Sequence, residues 1–151
     1  MTGPSFRFRL ERVRAVRERK EDVAKQELAQ ALSRLSNSRE QLLNAQAEEE
    51  HARAEQRLPV GEGTLTATEL IARQAFLERV EAERITRMRE LKSREAEVAE
   101  RGAALTVASS EHEMLKRLRE RHRGEHDREL ARRESIHLDE MTTARFRGSA
   151  A

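Results

Sequence analysis

The chain has 151 residues, 38% of them Asp, Glu, Lys or Arg, against 36% hydrophobic and 3% aromatic, with a net charge of only +2. That balance excludes a thick globular core, which needs more apolar and aromatic volume to offset chain entropy. Two Pro, six Gly and an abundance of Ala, Leu, Glu and Arg argue equally against disorder, and the absence of Cys excludes disulfides, thiolate metal sites and a Cys nucleophile.

In chain order, the first twenty residues hold Arg7, Arg9, Arg12, Arg14, Arg17, Arg19 and Lys20 and no unbroken apolar run. No secretory signal is expected there, no later run is long enough to span a membrane, and a cytoplasmic protein is the default. A first helix is expected over about residues 5 to 57. Leu28, Leu35 and Leu42 recur every seven residues on it, with Leu10, Val13, Ala24, Ala31 and Ala45 on or beside the same stripe.

Helix breakers concentrate in one place, a turn expected over residues 58 to 66, where Pro59 removes an amide donor and Gly61 and Gly63 supply turn conformations. The restart is marked by Thr66-Ala67-Thr68-Glu69, which fits a capping box, with Leu65 and Leu70 as the accompanying hydrophobic staple. The second helix is expected over about residues 67 to 146. Leu70, Leu77, Leu91, Val98 and Leu105 keep the sevenfold spacing, with Met88 in the alternate position. A seven-residue repeat on both sides of one turn predicts an all-α fold, a single antiparallel coiled-coil hairpin of two long helices spanning residues 1 to 151.

Arg17, Lys20 and Ser38 on the first helix, and Arg84, Glu95 and Gly102 on the second, fall where a stable seam wants Leu or Val, so the pairing is expected to be marginal. Folding about Glu62 sets residue 5 opposite residue 119, and the second helix should overhang the first over about residues 120 to 146. Arg119 to Glu129 contains no apolar side chain, as expected of a helix without a packing partner. Beyond it Leu130, Ile136, Leu138, Met141 and Phe146 return as a sparse apolar set suited to docking elsewhere. Residues 1 to 20 carry seven basic and two acidic side chains and residues 116 to 147 ten and seven, against thirteen and nineteen between them. An antiparallel hairpin therefore gathers basic termini at one end and acidic residues at the other.

Patterns that invite a chemical reading are weak. Gly61-Glu62-Gly63 lacks the Gly-Lys-Ser/Thr ending of a phosphate loop. His122 and His126 stand one helical turn apart with Glu129 nearby, but without a buried surrounding shell they read as solvated residues, not a metal site. Two paired helices offer no concave pocket for catalysis, so neither an enzyme nor a cofactor is expected. Arg117 to Arg133 could track phosphates, yet Glu120, Glu125, Asp127 and Glu129 interrupt it, so nucleic acid is not the expected partner.

Two terminal patterns resemble the FliJ family of the bacterial flagellar export apparatus. Phe6-Arg7-Phe8-Arg9-Leu10-Glu11-Arg12-Val13, running into Arg17, Glu21 and Ala24, looks like the family's opening. Glu113-Met114-Leu115-Lys116-Arg117-Leu118, followed by Glu134 to Leu138-Asp139-Glu140, looks like its closing segment. The resemblance implies a non-catalytic cytoplasmic component, similar in form to the stalk of rotary ATPases and peripherally associated with the export apparatus at the inner membrane, without inserting into it. It implies three partners: a hexameric export ATPase, a membrane export gate and export chaperones. With the charge segregation, it points to Arg7, Arg9, Arg12, Arg14, Leu138, Met141, Arg145 and Phe146 for the ATPase, and by analogy to Gln41, Ala45, Phe76 and Val80 for the gate. The stalk protein of a virulence type III secretion system and a generic coiled-coil adaptor are the alternatives.

Overall fold

The computed structural model describes residues 5–57 and 66–149. Two long helices account for nearly all of them: α1, Glu11–Arg57, and α2, Ala67–Ser149. They pack against each other as the arms of a helical hairpin. The expected turn, except for Thr66, lies outside the described residues, as does the Leu65 half of the staple. The capping box at the start of α2 is formed. The Glu69 amide donates to the Thr66 hydroxyl at 3.3 Å, and the Thr66 amide donates to the Glu69 carboxylate at 2.9 Å.

The helix pair divides into two compact units, residues 23–106 and residues 1–22 with 107–151. In the first, cross-helix partners descend on α2 as they ascend on α1: Glu27 meets Arg101 at 3.0 Å, Arg34 meets Glu97 at 2.7 Å and Arg53 meets Glu81 at 3.1 Å. The pairing is antiparallel. Ala24, Ala31, Ser38, Ala45 and Ala52, spaced by seven, are buried on α1, and small side chains there leave room for larger ones opposite. Val80 is the most buried apolar residue of α2, with Leu77, Leu91, Val98 and Leu105 half-buried.

Several expected seam positions differ. Leu70 is 54% exposed, and every described side chain from Thr66 to Phe76 is exposed. Met88, Lys20 and Glu95 also face solvent. In their places stand residues that continue the leucine ladders by one more step of seven: Glu49 after Leu42, Glu21 before Leu28 and His112 after Leu105. Glu49 is buried and held by Arg84 across the seam at 2.5 Å and by Arg53 at 2.6 Å. A buried carboxylate persists only with such compensation.

Residues 1–22 and 107–151 form the second unit. Here Glu11, not residue 5, lies across from Arg119, at 3.6 Å. The pairing in this unit therefore differs from the expected stagger by about one heptad, with the start of the chain further along α2 than expected. Leu130 is half-buried, and every described side chain from residue 131 to 148 is exposed. The helix itself runs unbroken through Gly102 and Gly124, neither of which has a positive φ.

Candidate functional site

Helix α1 begins at Glu11, six residues later than the expected start. Ser5 to Phe8 is not helical, and the alternation Phe6-Arg7-Phe8-Arg9 accounts for it: a period of two puts both Phe on one side of an extended segment and both Arg on the other. Phe8 is buried with its ring 5.9 Å from His122 and edge-on to it, and Phe6 lies 5.6 Å from His126. Two residues of extended chain cover about 6.6 Å and four residues of helix about 6 Å, so the two rings match the two imidazoles. The apolar-free stretch of α2 therefore has a partner after all, supplied by Ser5 to Phe8, which lie along it as a strap. Among the described residues no group of three or more His, Cys, Asp or Glu is gathered as for a metal ion.

An open groove of about 720 Å³ runs between the strap, Arg12 and Arg119. Arg7, Arg9 and Arg12 are exposed, and no carboxylate among the described residues pairs with them. Arg14 differs. Its guanidinium donates to Glu11 at 2.7 and 3.0 Å and reaches Glu18 at 3.3 Å, leaving its side chain 16% exposed. The hydrogen bonds from Arg14, reinforced by its charge and that of Arg119, hold the Glu11 carboxyl below its ordinary value.

Elsewhere along the helix pair the seam is polar. His112 Nδ1 lies 2.6 Å from Glu21, Ser109 donates to the same carboxylate at 3.0 Å, and Arg17 pairs with Glu111. His112 is 8% exposed and its Nε2 has no hydrogen-bond partner among the described residues. The sequence reading set Arg17 at the seam and Glu21 in the opening pattern but did not single out Ser109, Glu111 or His112, although extending the Leu105 ladder by seven finds His112.

The remaining terminal candidates lie elsewhere on the same helix. Leu138, Met141 and Phe146 are 63%, 45% and 76% exposed, and Arg145 is exposed. Leu138 stands sixteen residues past His122, about 24 Å along the axis. The eight residues thus form two separate patches, not one.

In the unit of residues 23–106, Gln41 is exposed and accepts from Arg87 at 3.1 Å. Phe76 is 40% exposed, with the Arg79 guanidinium 5.2 Å from its ring centre, and lines a groove of about 350 Å³ with Ala52, Gln56 and Ala72. Ala45 and Val80 are buried at 5% and 6% exposure and serve the packing of the two helices. A partner reaches them only if the helices separate. Gln41 and Phe76 are also apart, since Phe76 precedes Arg87 by eleven residues, about 16 Å of helix.

No helix among the described residues is long and apolar enough to cross a membrane. Neither a curated protein nor a solved structure matches the chain. The family described as Flagellar FliJ protein matches residues 6–151, from the strap to the last residue. The helical hairpin and that match together place the chain in the FliJ family of flagellar export components.

Proposed function

We propose that this protein is a non-catalytic stalk of the flagellar export apparatus that engages the hexameric export ATPase through its terminal residues. The observation that carries this reading is the exposed end of α2, where Leu138 and Met141 stand on a stretch whose described side chains from 131 to 148 all face solvent. Apolar side chains on an otherwise charged helix are the anchors that a docking helix lays into a partner's groove. The exposed Arg7, Arg9 and Arg12 add steering toward an acidic surface. Deleting residues 130 to 151 is expected to abolish binding and stimulation of the ATPase while circular dichroism keeps the hairpin's helical signal. Full stimulation by the truncated chain removes the α2 end as the contact.

The gate and the chaperones are proposed as further partners, on the cytoplasmic side of the inner membrane. For the gate the proposal rests on Gln41 and Phe76, the two of the four named residues that face solvent. Phe76→Ala is expected to weaken gate binding about tenfold, the scale of an exposed aromatic anchor, without changing helicity. Equal affinity of the two forms discards Phe76.

A further inference from the structure

We infer that the groove beside the strap binds an extended acidic peptide segment of a partner, with carboxylates two residues apart facing Arg7 and Arg9. This rests on the reading of the terminal residues as a docking site and gives one of its two patches a chemistry. Four guanidiniums line the groove, and of these only Arg119 is held by a carboxylate, that of Glu11. Arg7, Arg9 and Arg12 have no carboxylate among the described residues, and Glu11, the acid lining the groove, is already engaged by Arg14 and Arg119. Three uncompensated positive charges around one concave surface attract and orient an anionic partner.

The strap sets the spacing. Phe6 and Phe8 face His126 and His122, and the alternate positions Arg7 and Arg9 both line the groove, Arg9 at the start of the turn that the Glu11 amide closes on the Phe8 carbonyl. Alternate positions of an extended segment lie about 6.6 Å apart, the same repeat as in an extended acidic peptide. The backbone is available as well. Among the described residues, the bond that Phe8 C=O accepts from the Glu11 amide is the one backbone hydrogen bond formed by residues 5–8. An incoming strand can pair with the remaining amides and carbonyls, as in β-strand addition. A single phosphate is a poorer match, because the guanidiniums line an open groove and do not converge on a point. A lipid surface is poorer still, since membrane anchoring needs apolar side chains turned outward and both rings face α2.

The test uses the full chain and a fluorescein-labelled peptide with Glu at alternate positions between Val residues, followed by anisotropy at two salt concentrations. Controls replace every Glu by Gln or place the Glu residues adjacent. The alternating acidic peptide is expected to bind best, with affinity falling as salt rises. Arg7→Gln with Arg9→Gln should weaken it about tenfold, the combined effect of two partly solvated ion pairs. Phe8→Ala should weaken it too, with every Arg present, because the strap is no longer held. Equal affinity for the Glu and Gln peptides, or indifference to the Arg7 and Arg9 changes, overturns the inference. So does tighter, Arg-dependent binding to phosphatidylglycerol vesicles than to the peptide. Competition with the purified ATPase separates the two readings: an ATPase that ignores excess peptide, while the peptide still binds through Arg7 and Arg9, sinks the groove as the ATPase contact and leaves the acidic-peptide site standing.

Discussion

Glu49 occupies the rung of the α1 ladder that follows Leu28, Leu35 and Leu42, and it is buried between Arg84 and Arg53. The arginine heads stay partly exposed, so removing the acid returns them to water at little cost, whereas an apolar side chain there extends the seam. Glu49→Leu is therefore expected to stabilise the hairpin by about 1–2 kcal/mol, read as a higher urea midpoint. A lower midpoint shows instead that the ion pair outweighs the burial gained. Gly102 offers a second residue-scale test, since a Cβ built there meets nothing within 4 Å. Gly102→Ala is expected to raise stability by about 1 kcal/mol through backbone entropy alone, measured by thermal denaturation.

At the scale of the element, α1 starts where the Phe-Arg alternation ends, and Glu11 is its first residue. A carboxylate in the first turn is favoured by the helix dipole, and Arg14 lowers its proton affinity in the folded state. A carboxyl lowered by folding contributes stability that is present above its unfolded value and lost as pH falls through the folded one. Acidification below the ordinary value of 4.5 should therefore fray the first turn of α1, seen as faster amide exchange at Arg14 and Ala15. Glu11→Gln should remove that pH dependence; a first turn that frays identically in both chains rules out Glu11 as the cause. The strap and the exposed end of α2 are the other two element-scale features. One is ordered by two ring contacts, the other presents its apolar side chains outward.

For the whole molecule, the question is whether one chain closes its own hairpin or exchanges arms with a second copy. The chain has no Cys, so introduced pairs report without ambiguity. Arg34 and Glu97 face each other across the seam and are exposed enough to replace. A chain with Arg34→Cys and Glu97→Cys, treated with a short bismaleimide at low protein concentration, is expected to cross-link within itself and remain a monomer. A covalent dimer as the main product shows exchanged arms, which a marginal seam permits.

The amino-acid sequence by itself determined the two helices, the capping box at Thr66 and Glu69, and the family. Those features rest on local hydrogen bonding, backbone propensity and short-range order, which residues close in the chain decide among themselves. The stagger was decided only in the tertiary structure. A sevenfold repeat matches its partner almost equally well after a shift of one heptad, so apolar spacing alone does not choose between residue 5 and Glu11 as the neighbour of Arg119. Contacts between distant residues accompany the observed choice: Glu49 with Arg84, Glu21 with His112, and Phe8 with His122. The strap was legible in part, because its alternation is a strand signal, but its conformation depends on two imidazoles more than a hundred residues away. The heptad stripe already set Ala45 on or beside the seam and Phe76 one position off it, whereas the closing of Val80 within the seam was decided by how the second helix rotates onto the first.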